Sequence, residues 1–308
     1  MDDKERKYLT KIIEKYNIDN NIDEINMKAL PGYPHIFRVP CGEFNLIAKQ
    51  MPQSRLLVDN IDELFDKLSK IECVHVPLMN VDGKYSLLID DKILFLYSEL
   101  EEINAPPSGI WWAECLADIH KTLEEKKSLK SFSNNFYDET ISLLTSADKY
   151  IEKRYQYEIH NMLKTIDLKK IKEQSIFALC HQDPYILNVM RKEEDYKIID
   201  LECMGLSPKE YDMQRLLYNY AIDENDELKV IEFWNMFKNK YENKTNDIID
   251  IELLKNIYKL DFIRSMSWLY IVSNDLHRSD RDRQKKVLNA YKESIDNNIH
   301  TKVLKKIY

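Results

Sequence analysis

The sequence predicts an α+β protein with two lobes, a small N-terminal lobe built on an antiparallel sheet with one main helix and a larger, mostly helical C-terminal lobe. Short runs of β-branched and aromatic residues, separated by turn residues, recur between residues 27 and 100 and are typical of hairpins. Residues 209–308 contain neither glycine nor proline, which favours helix over the last third of the chain. We therefore expect one lobe over residues 1–100 and the other over residues 101–308.

The first predicted element of the small lobe is a β-hairpin. Residues 36–39 and 44–49 are rich in strand-forming side chains, and the turn Pro40-Cys41-Gly42-Glu43 separates them. Lys49 closes the second run. The sequence therefore predicts a lysine at the end of a strand in this lobe.

One helix and two further strands complete the small lobe. Residues 55–71 carry apolar side chains at intervals of four and three residues, which is the pattern of an amphipathic helix. The runs 85–89 and 93–97 flank the polar turn Asp90-Asp91-Lys92 and are typical of paired strands. Residues 104–109 contain two prolines and a glycine and form the predicted linker.

One segment carries most of the chemical information, namely His181-Gln182-Asp183-Pro184-Tyr185-Ile186-Leu187-Asn188. The apolar run before it, residues 175–180, is suited to a buried strand. Pro184 lacks an amide hydrogen and disfavours helical dihedrals at Asp183, so the backbone turns here. The segment therefore places a carboxylate and a carboxamide, Asp183 and Asn188, around one loop.

Two short strands are predicted after this loop, and the second ends at Asp200. A neutral amide oxygen and a carboxylate can share a hard cation such as magnesium, which prefers oxygen ligands and keeps bound phosphates in its shell. Asn188 and Asp200 fit these two roles, although Asn188 can instead cap a turn. Asp183 is then the carboxylate nearest an acceptor hydroxyl, whose proton it takes or orients. This combination predicts a phosphotransferase.

The segment from Leu179 to Asn188, with Ile199-Asp200-Leu201-Glu202 and the stretch from Gly205 to Asp212, resembles the aminoglycoside phosphotransferase and choline kinase superfamily. These enzymes are relatives of protein kinases that phosphorylate small molecules. The resemblance implies a protein-kinase-like fold and the use of ATP, or another nucleoside triphosphate, with Mg²⁺.

The resemblance also implies a role for each matching residue. Asp183 matches the catalytic aspartate of the family, and Asn188 and Asp200 match its metal ligands. His181 and Asp212 match residues that organise the catalytic loop.

Further roles follow for the small lobe. Lys49 lies where the kinase-like fold places the lysine that contacts the α- and β-phosphates, although a surface lysine on an edge strand is the alternative. Glu99 and Leu100 lie where such a chain passes from one lobe to the other and offers backbone groups to the adenine ring. An acid on the amphipathic helix should pair with Lys49. Asp59, Asp62 and Glu63 are the candidates, of which Asp62 and Glu63 lie in the middle of the helix, and a solvated acidic face is the alternative.

The acceptor is expected to contact residues that follow Asp200. Glu202 is one candidate, and the acidic residues Asp223 and Glu224 could receive the ammonium groups of an aminoglycoside. The ring of Trp268 could hold a quaternary ammonium by cation–π attraction. Helix capping by the acids and core packing of the ring are the alternatives, so neither group identifies the acceptor.

Composition disfavours several functional classes. The net charge of −8 and the lack of a basic stripe argue against nucleic acid as a partner. No apolar run approaches the ~20 residues that cross a bilayer, and the charged N-terminus is not followed by a signal-peptide core, so we expect a cytoplasmic protein. The five cysteines form no Cys-x-x-Cys pair, which gives no support for a zinc site. Nothing in the sequence indicates the oligomeric state.

The acidic charge is compatible with a cationic acceptor, so the predicted function is phosphorylation of an aminoglycoside or related antibiotic. A choline-like or other metabolite kinase is the alternative within the enzyme class. A non-catalytic kinase-like binding or scaffold protein is the alternative outside it, but the intact set of chemical residues argues against that. A protein kinase is disfavoured because no Ala-Pro-Glu segment or long activation loop follows Asp200.

Overall fold

The computed structural model describes residues 3–18, 28–30, 33–53, 60–122, 136–224, 226–275 and 281–296. Within the chain, contacts define two compact units. The first unit comprises residues 1–107, 124–130 and 187–204, and the second comprises residues 108–123, 131–186 and 205–308. The mixed class predicted from the sequence, an antiparallel sheet near the N-terminus followed by a helical region, is confirmed.

The first unit is built on a five-stranded antiparallel sheet with the strand order β1-β2-β3-β5-β4. Its strands are β1 Lys28–Leu30, β2 Tyr33–Cys41, β3 Phe44–Pro52, β4 Ser86–Ile89 and β5 Lys92–Ser98. The predicted hairpin is β2–β3, and Gly42 adopts a φ of 63° in its turn, a conformation that glycine tolerates without strain. Lys49 pairs with Ile36 on one side and with Phe95 on the other, so it lies in the middle of the sheet.

The two helices of this unit contact opposite faces of the sheet. Helix α1, Asp3–Tyr16, buries Leu9 and Ile12 in one cluster with Ala48 of β3. Helix α2, Ile61–Leu68, places the ring of Phe65 against that of Phe95, with 5.5 Å between the centroids. Because side chains alternate along a strand, Lys49 points to the same face as Phe95.

Helix α2 is shorter than the helix predicted over residues 55–71. It begins after Asn60, whose side chain accepts a hydrogen bond from the backbone N–H of Glu63, and it ends at Leu68. The predicted end at residue 71 is therefore three residues too late. Residues 55–59 of the predicted helix, which include the candidate acid Asp59, lie outside the described residues.

The first unit also contains the second predicted hairpin, formed by β7 Val189–Lys192 and β8 Asp195–Ile198. Isolated bridges join Ile198 to Val74 and Arg191 to Glu101. These pairings explain why residues 187–204 belong with the N-terminal segment, whereas the sequence analysis assigned them to the lobe over residues 101–308. The first unit also extends to residue 107 rather than ending near 100.

The second unit is mostly helical. Strands β6 Phe177–Cys180 and β9 Gly205–Pro208 form a small antiparallel pair. The helices before β9 are α3 Gly109–Lys121, α4 Phe136–Ala147, α5 Lys153–Lys164 and α6 Leu168–Gln174. Those after it are α7 Glu210–Asp223, α8 Glu227–Thr245, α9 Ile251–Asn274 and α10 Arg281–Asp296. The helical interpretation of residues 209–308 is thus confirmed over their described part.

Helices α3 and α8 approach closely at Gly109. A Cβ atom at this position would lie 2.4 Å from the carbonyl oxygen of Phe233. Glycine at the first residue of α3 therefore lets the backbones meet where a larger residue would force them apart. None of the helices in the described residues is both long and apolar enough to span a membrane.

Candidate active site

Lys49 on β3 lies in contact with two carboxylates of the first unit. Its ammonium forms ion pairs with Asp200 and with Glu202, the latter at 2.9 Å between Nζ and Oε1. Burial lowers the pKa of Lys49, but the charges of Glu202 and Asp200 outweigh this effect and raise it overall. The lysine is therefore charged and fixed beside the end of β8.

Glu202 is the most buried member of this group, with only 3% of its surface exposed. Besides Lys49, the hydroxyl of Tyr97 lies 3.5 Å from its Oε1 atom. Burial raises the pKa of Glu202 and nearby Asp200 adds to the rise, while Lys49 opposes it. A buried carboxylate of this kind is stabilised by its ion pair with the lysine.

This geometry corrects three expectations from the sequence. Asp62 does not pair with Lys49, because its Oδ1 atom accepts hydrogen bonds from the backbone amides of Tyr85 and Ser86 at 2.8 and 3.0 Å. Glu63 pairs with Lys67 on its own helix, at 3.2 Å. Glu202 takes the place expected for these acids and is buried against Lys49, so its assignment as an acceptor contact is also wrong.

Asn188 and Asp200 are brought together by the β7–β8 hairpin. Asn188 ends a short 3-10 helix, Ile186–Asn188, directly before β7. Its backbone carbonyl accepts a hydrogen bond from the amide of Ile199 at 2.9 Å, which aligns Asn188 with the residue before Asp200. The backbones of Asn188 and Asp200 therefore lie close together at the open end of this hairpin.

Asp200 adopts a left-handed conformation, with φ 67° and ψ 46°, and precedes a second 3-10 turn, Leu201–Cys203. Aspartate and asparagine tolerate this region better than most residues. The sharp change of direction lets Asp200 and Glu202 both reach Lys49. Asn188 and Asp200 supply the oxygen donors that Mg²⁺ prefers, so these residues fit a divalent cation.

The segment after β5 contains the two residues expected to meet a nucleotide base. The backbone amide of Glu99 donates to Asn45, and both backbone groups of Glu101 bond to Arg191 at 2.8 and 2.9 Å. Between them, the backbone of Leu100 forms no hydrogen bond to the described residues. The Glu99 side chain is held by Arg38 and Asn45, so only the backbone at this point is suited to base recognition.

In the second unit, Asp212 holds the loop that contains Asp183. The Asp212 side chain is fully buried and accepts hydrogen bonds from the backbone amides of His181 and Gln182, both at 2.7 Å. Gln182 has a φ of 69°, which turns the chain away from β6. The amide of Asp183 lies 3.3 Å from Nδ1 of His181. Asp212 therefore holds the backbone of the loop just before Asp183.

His120 of α3 completes this network. Its Nε2 atom lies 3.1 Å from Asp212, and its Nδ1 atom lies 2.8 Å from the hydroxyl of Tyr241. His120, Asp212 and Cys180 also bring three potential metal-ligand atoms within 4.8 Å of one another. However, burial raises the pKa of the Cys180 thiol well above its usual value, which disfavours the thiolate that binds metals. Hydrogen bonding explains this buried group better than a metal does.

Asp183 itself is 47% exposed, and its Oδ1 atom lies 3.5 Å from Nη1 of Arg215. Sequence reasoning missed Arg215. The spacing of the sequence could have identified it, because Arg215 follows Asp212 by three residues and such residues share a face of a helix. Asp212 already contacts the loop, so its neighbour one turn later is placed to contact it too.

Two acceptor candidates, Asp223 and Trp268, lie in the second unit. Burial raises the pKa of Asp223, and a hydrogen bond from Tyr185 acts in the opposite direction. Tyr185 is also close enough to Asp183 for that carboxylate to help raise its pKa, after burial and Asp223. Trp268 is partly exposed and follows Ser265 by three residues on α9. The structure thus keeps Asp223 and Trp268 as candidates.

Glu224 is a poorer candidate than the sequence suggested. Its Oε1 atom accepts a hydrogen bond from the backbone amide of Asp226 at 2.9 Å, and its Oε2 atom lies 3.4 Å from Lys229. Both oxygens are occupied at the start of α8. The Glu224 side chain thus holds the backbone of Asp226, which is the N-cap of α8.

Comparison with known proteins gives a likeness of fold. No protein-family model and no curated protein match the sequence. A spectinomycin phosphotransferase solved with ADP and spectinomycin has a TM-score of 0.65 and 16% identity, over 98% of each chain. An amicoumacin kinase solved with AMP-PNP and Ca²⁺ has a TM-score of 0.62 and 17% identity, over 96% of this chain and 93% of that one. A choline kinase from Streptococcus pneumoniae has a TM-score of 0.61 and 15% identity, over 95% of this chain and 100% of that one. The kinase-like fold expected from the sequence is confirmed.

Proposed function

We propose that this protein is a nucleoside triphosphate- and Mg²⁺-dependent phosphotransferase that moves the γ-phosphate to a hydroxyl group of a small molecule. The observation that carries the proposal is the cluster of Lys49, Asp200 and Asn188 in the first unit. It combines a fixed cation with two oxygen donors at the end of one hairpin. A structural role alone would not require an amide, a carboxylate and a partly buried lysine together.

The nucleotide end of the reaction is supported by two features. Lys49 is charged and fixed, so it can neutralise phosphate oxygens without first being ordered. The backbone amide and carbonyl of Leu100 form no hydrogen bond to the described residues and can serve the edge of an adenine ring. Structures with the same fold contain ADP or AMP-PNP.

Asn188 and Asp200 would hold Mg²⁺ in this proposal. The ion would neutralise charge on the phosphates during transfer. Before nucleotide binds, Lys49 contacts Asp200 directly. We propose that phosphate oxygens become partners of both groups, while Glu202 continues to hold the lysine.

The second unit supplies Asp183. Its carboxylate would accept a hydrogen bond from the acceptor hydroxyl, orient the oxygen for attack and take the proton as transfer proceeds. General base catalysis of this kind contributes about 10²- to 10⁴-fold to a rate. The hydrogen bonds from the loop backbone to Asp212 fix the position of Asp183 before the acceptor arrives.

A cationic acceptor, an aminoglycoside or related antibiotic, remains our specific proposal, which would make the protein an antibiotic-resistance kinase. Asp223 and Asp183 supply negative charge, and both lie close to Tyr185. A choline-like acceptor is the alternative, because the partly exposed ring of Trp268 suits a quaternary ammonium. ATP and Mg²⁺ are plentiful in the cytoplasm, and we propose that location.

The test combines nucleotide binding with a panel of acceptors. Titration calorimetry should show that the parent protein binds ATP with Mg²⁺ and that Asp200→Ala greatly weakens this binding. ATP consumption should then rise with at least one aminoglycoside, aminocyclitol or amino alcohol. The matched control is Asp195→Ala, which removes an exposed carboxylate from the same hairpin and should change neither result. A parent protein that binds no nucleotide would contradict the proposal, and binding without turnover on a broad panel would favour a non-catalytic protein.

A further inference from the structure

Asp261 of α9 is the centre of a buried polar cluster in the second unit. Its Oδ1 atom accepts a hydrogen bond from the hydroxyl of Tyr211 at 3.0 Å, and its Oδ2 atom accepts one from Gln214 at 2.9 Å. Arg215 contributes two more, from Nε at 3.1 Å and from Nη2 at 3.3 Å. The carboxylate therefore has four donors from one face of α7, and the guanidinium meets it in the two-pronged geometry that arginine favours.

The guanidinium of Arg215 is fixed on its other sides as well. Nη2 lies 3.4 Å from the hydroxyl of Ser265, and the guanidinium carbon lies 5.4 Å from the ring centroid of Tyr211. Three different side chains thus restrict its position and plane. A planar group held in this way can direct its remaining N–H bonds with little loss of entropy on each contact.

One of those remaining N–H groups points to Asp183. Nη1 of Arg215 lies 3.5 Å from Oδ1 of Asp183, a long contact for a hydrogen bond but well within the range of an ion pair. Exposure of the side chains rises along this series, from 7% for Asp261 to 23% for Arg215 and 47% for Asp183. A rigid, buried carboxylate is thus linked through arginine to a half-exposed one.

We infer that Arg215 is a positioning residue for Asp183 and that Asp261 anchors it. The arginine holds Oδ1 of Asp183 and so restricts the orientation of the carboxylate. The inference rests on the proposed function, because it assigns Arg215 a role in that reaction. It differs from the role of Asp212, which holds the loop backbone, since Arg215 acts on the side chain of Asp183.

The physical reason is the freedom of an exposed carboxylate. A half-exposed aspartate can rotate about its side-chain bonds and is solvated in several orientations. Misplacement of a reacting group by about 1 Å can cost about 100-fold in rate. Loss of the arginine contact should therefore reduce kcat about 10- to 100-fold and leave the KM for ATP nearly unchanged.

Removing the arginine alone would leave Asp261 buried beside an empty space, which can destabilise a protein severely. The main variant is therefore the pair Arg215→Met and Asp261→Asn, which removes both charges and keeps similar volumes. Arg215→Lys is the second variant, because it keeps the positive charge but cannot form a bidentate hydrogen-bonded pair with Asp261. Arg154→Met is the matched control, since Arg154 forms an exposed ion pair with Asp296.

Steady-state kinetics on the acceptor found in the panel would be measured for the parent, the three variants and each combination with Asp183→Ala. We expect the paired variant to lose 10- to 100-fold in kcat, Arg215→Lys to lose less, and Arg154→Met to retain parental values. In the Asp183→Ala background, loss of Arg215 should have little further effect, because its partner is gone.

Three results would overturn the inference. They are a paired variant that keeps the parental kcat, equal losses in the presence and absence of Asp183, and a loss that appears only in the KM for ATP. A parent protein without turnover on any acceptor would instead contradict the proposed function itself. The parent and the variants therefore separate failure of the reaction from failure of the role of Arg215.

Discussion

The pairing of Lys49 with Glu202 is the feature of single residues that most affects the proposed mechanism. Both carboxylates that contact Lys49 come from one short turn, since Asp200 and Glu202 are separated by a single residue. The position of the lysine therefore depends on the same backbone that positions the metal ligand. Among the described residues, α2 forms no ion pair with Lys49. Its Asp62 instead holds the backbone at the start of β4.

Glu202→Gln tests this pairing directly. The variant keeps the shape of the side chain but removes one of the two negative partners of Lys49. A hydrogen bond to a charged group contributes about 1.5–3 kcal/mol, so we expect ATP affinity to fall about tenfold or more when measured by calorimetry with Mg²⁺.

The matched control is Asp62→Asn. It should lower the melting temperature, because Asp62 accepts hydrogen bonds from two backbone amides of the sheet, and it should leave ATP affinity nearly unchanged. If Asp62→Asn weakens ATP binding as much as Glu202→Gln does, the lysine has a different partner in the active protein.

Helix α7 is the element on which the second unit organises its chemistry. The helix begins at the buried Glu210 and ends at Asp223. Between them, Asp212 holds the loop that contains Asp183, and Arg215 contacts Asp183 itself. Asp212 and Arg215 reach the loop because β9, which leads into α7, pairs with β6, which leads into the loop; Cys180 of β6 pairs with Gly205 of β9. Stability of the start of α7 should therefore affect the catalytic loop.

Glu210, the first residue of α7, should make the free energy of unfolding depend on pH. Burial raises its pKa from 4.5 to about 7. The folded protein thus holds this proton more tightly than the unfolded chain does, and the free energy of unfolding falls as pH rises from about 4.5 to 7. The shift corresponds to at most about 3 kcal/mol. Chemical denaturation of the parent and of Glu210→Gln at several pH values should show this loss in the parent and a smaller one in the variant.

The control is Glu114→Gln, which removes an exposed carboxylate of α3 that pairs with Lys240 and leaves Glu210 in place. It should keep the parental slope with pH. A Glu210→Gln variant whose stability follows the same curve as the parent would show that Glu210 ionises normally in the folded protein.

The crossing of α3 and α8 provides a test of packing at the scale of elements. Gly109→Ala places a methyl group 2.4 Å from a backbone oxygen that cannot move alone. Overpacking of this kind costs about 1–3 kcal/mol, so we expect a clear fall in the melting temperature. Ile110→Ala, on the exposed side of the same turn, should have a much smaller effect. Equal stability of Gly109→Ala and the parent would contradict the close approach.

At the scale of the whole molecule, the sequence contained most of the architecture and the local part of the site. The hairpins were predictable because turn residues separate short strand-like runs, and Asn188 and Asp200 are neighbours because one hairpin joins them. Contacts between distant segments were not predictable from spacing. Glu202 reaches Lys49 across more than a hundred residues of sequence, and Asp261 reaches Arg215 from another helix. Each depends on how elements pack, which a local pattern does not encode.

In the proposed mechanism, Lys49, Asn188 and Asp200 bind the nucleotide and the metal, and Asp183 binds the acceptor hydroxyl. The first three residues belong to the first unit and Asp183 to the second. Loss of Asp183 should therefore spare nucleotide binding and abolish transfer.

The most direct test is mass spectrometry of the acceptor after incubation with ATP and Mg²⁺, for the parent and for Asp183→Asn. The account predicts a singly phosphorylated acceptor with the parent, and a rate of formation at least about 100-fold lower with Asp183→Asn, although calorimetry shows that this variant still binds ATP. Equal rates of formation by the two proteins would contradict the role of Asp183, and no phosphorylated product from the parent on any acceptor would contradict the proposed function.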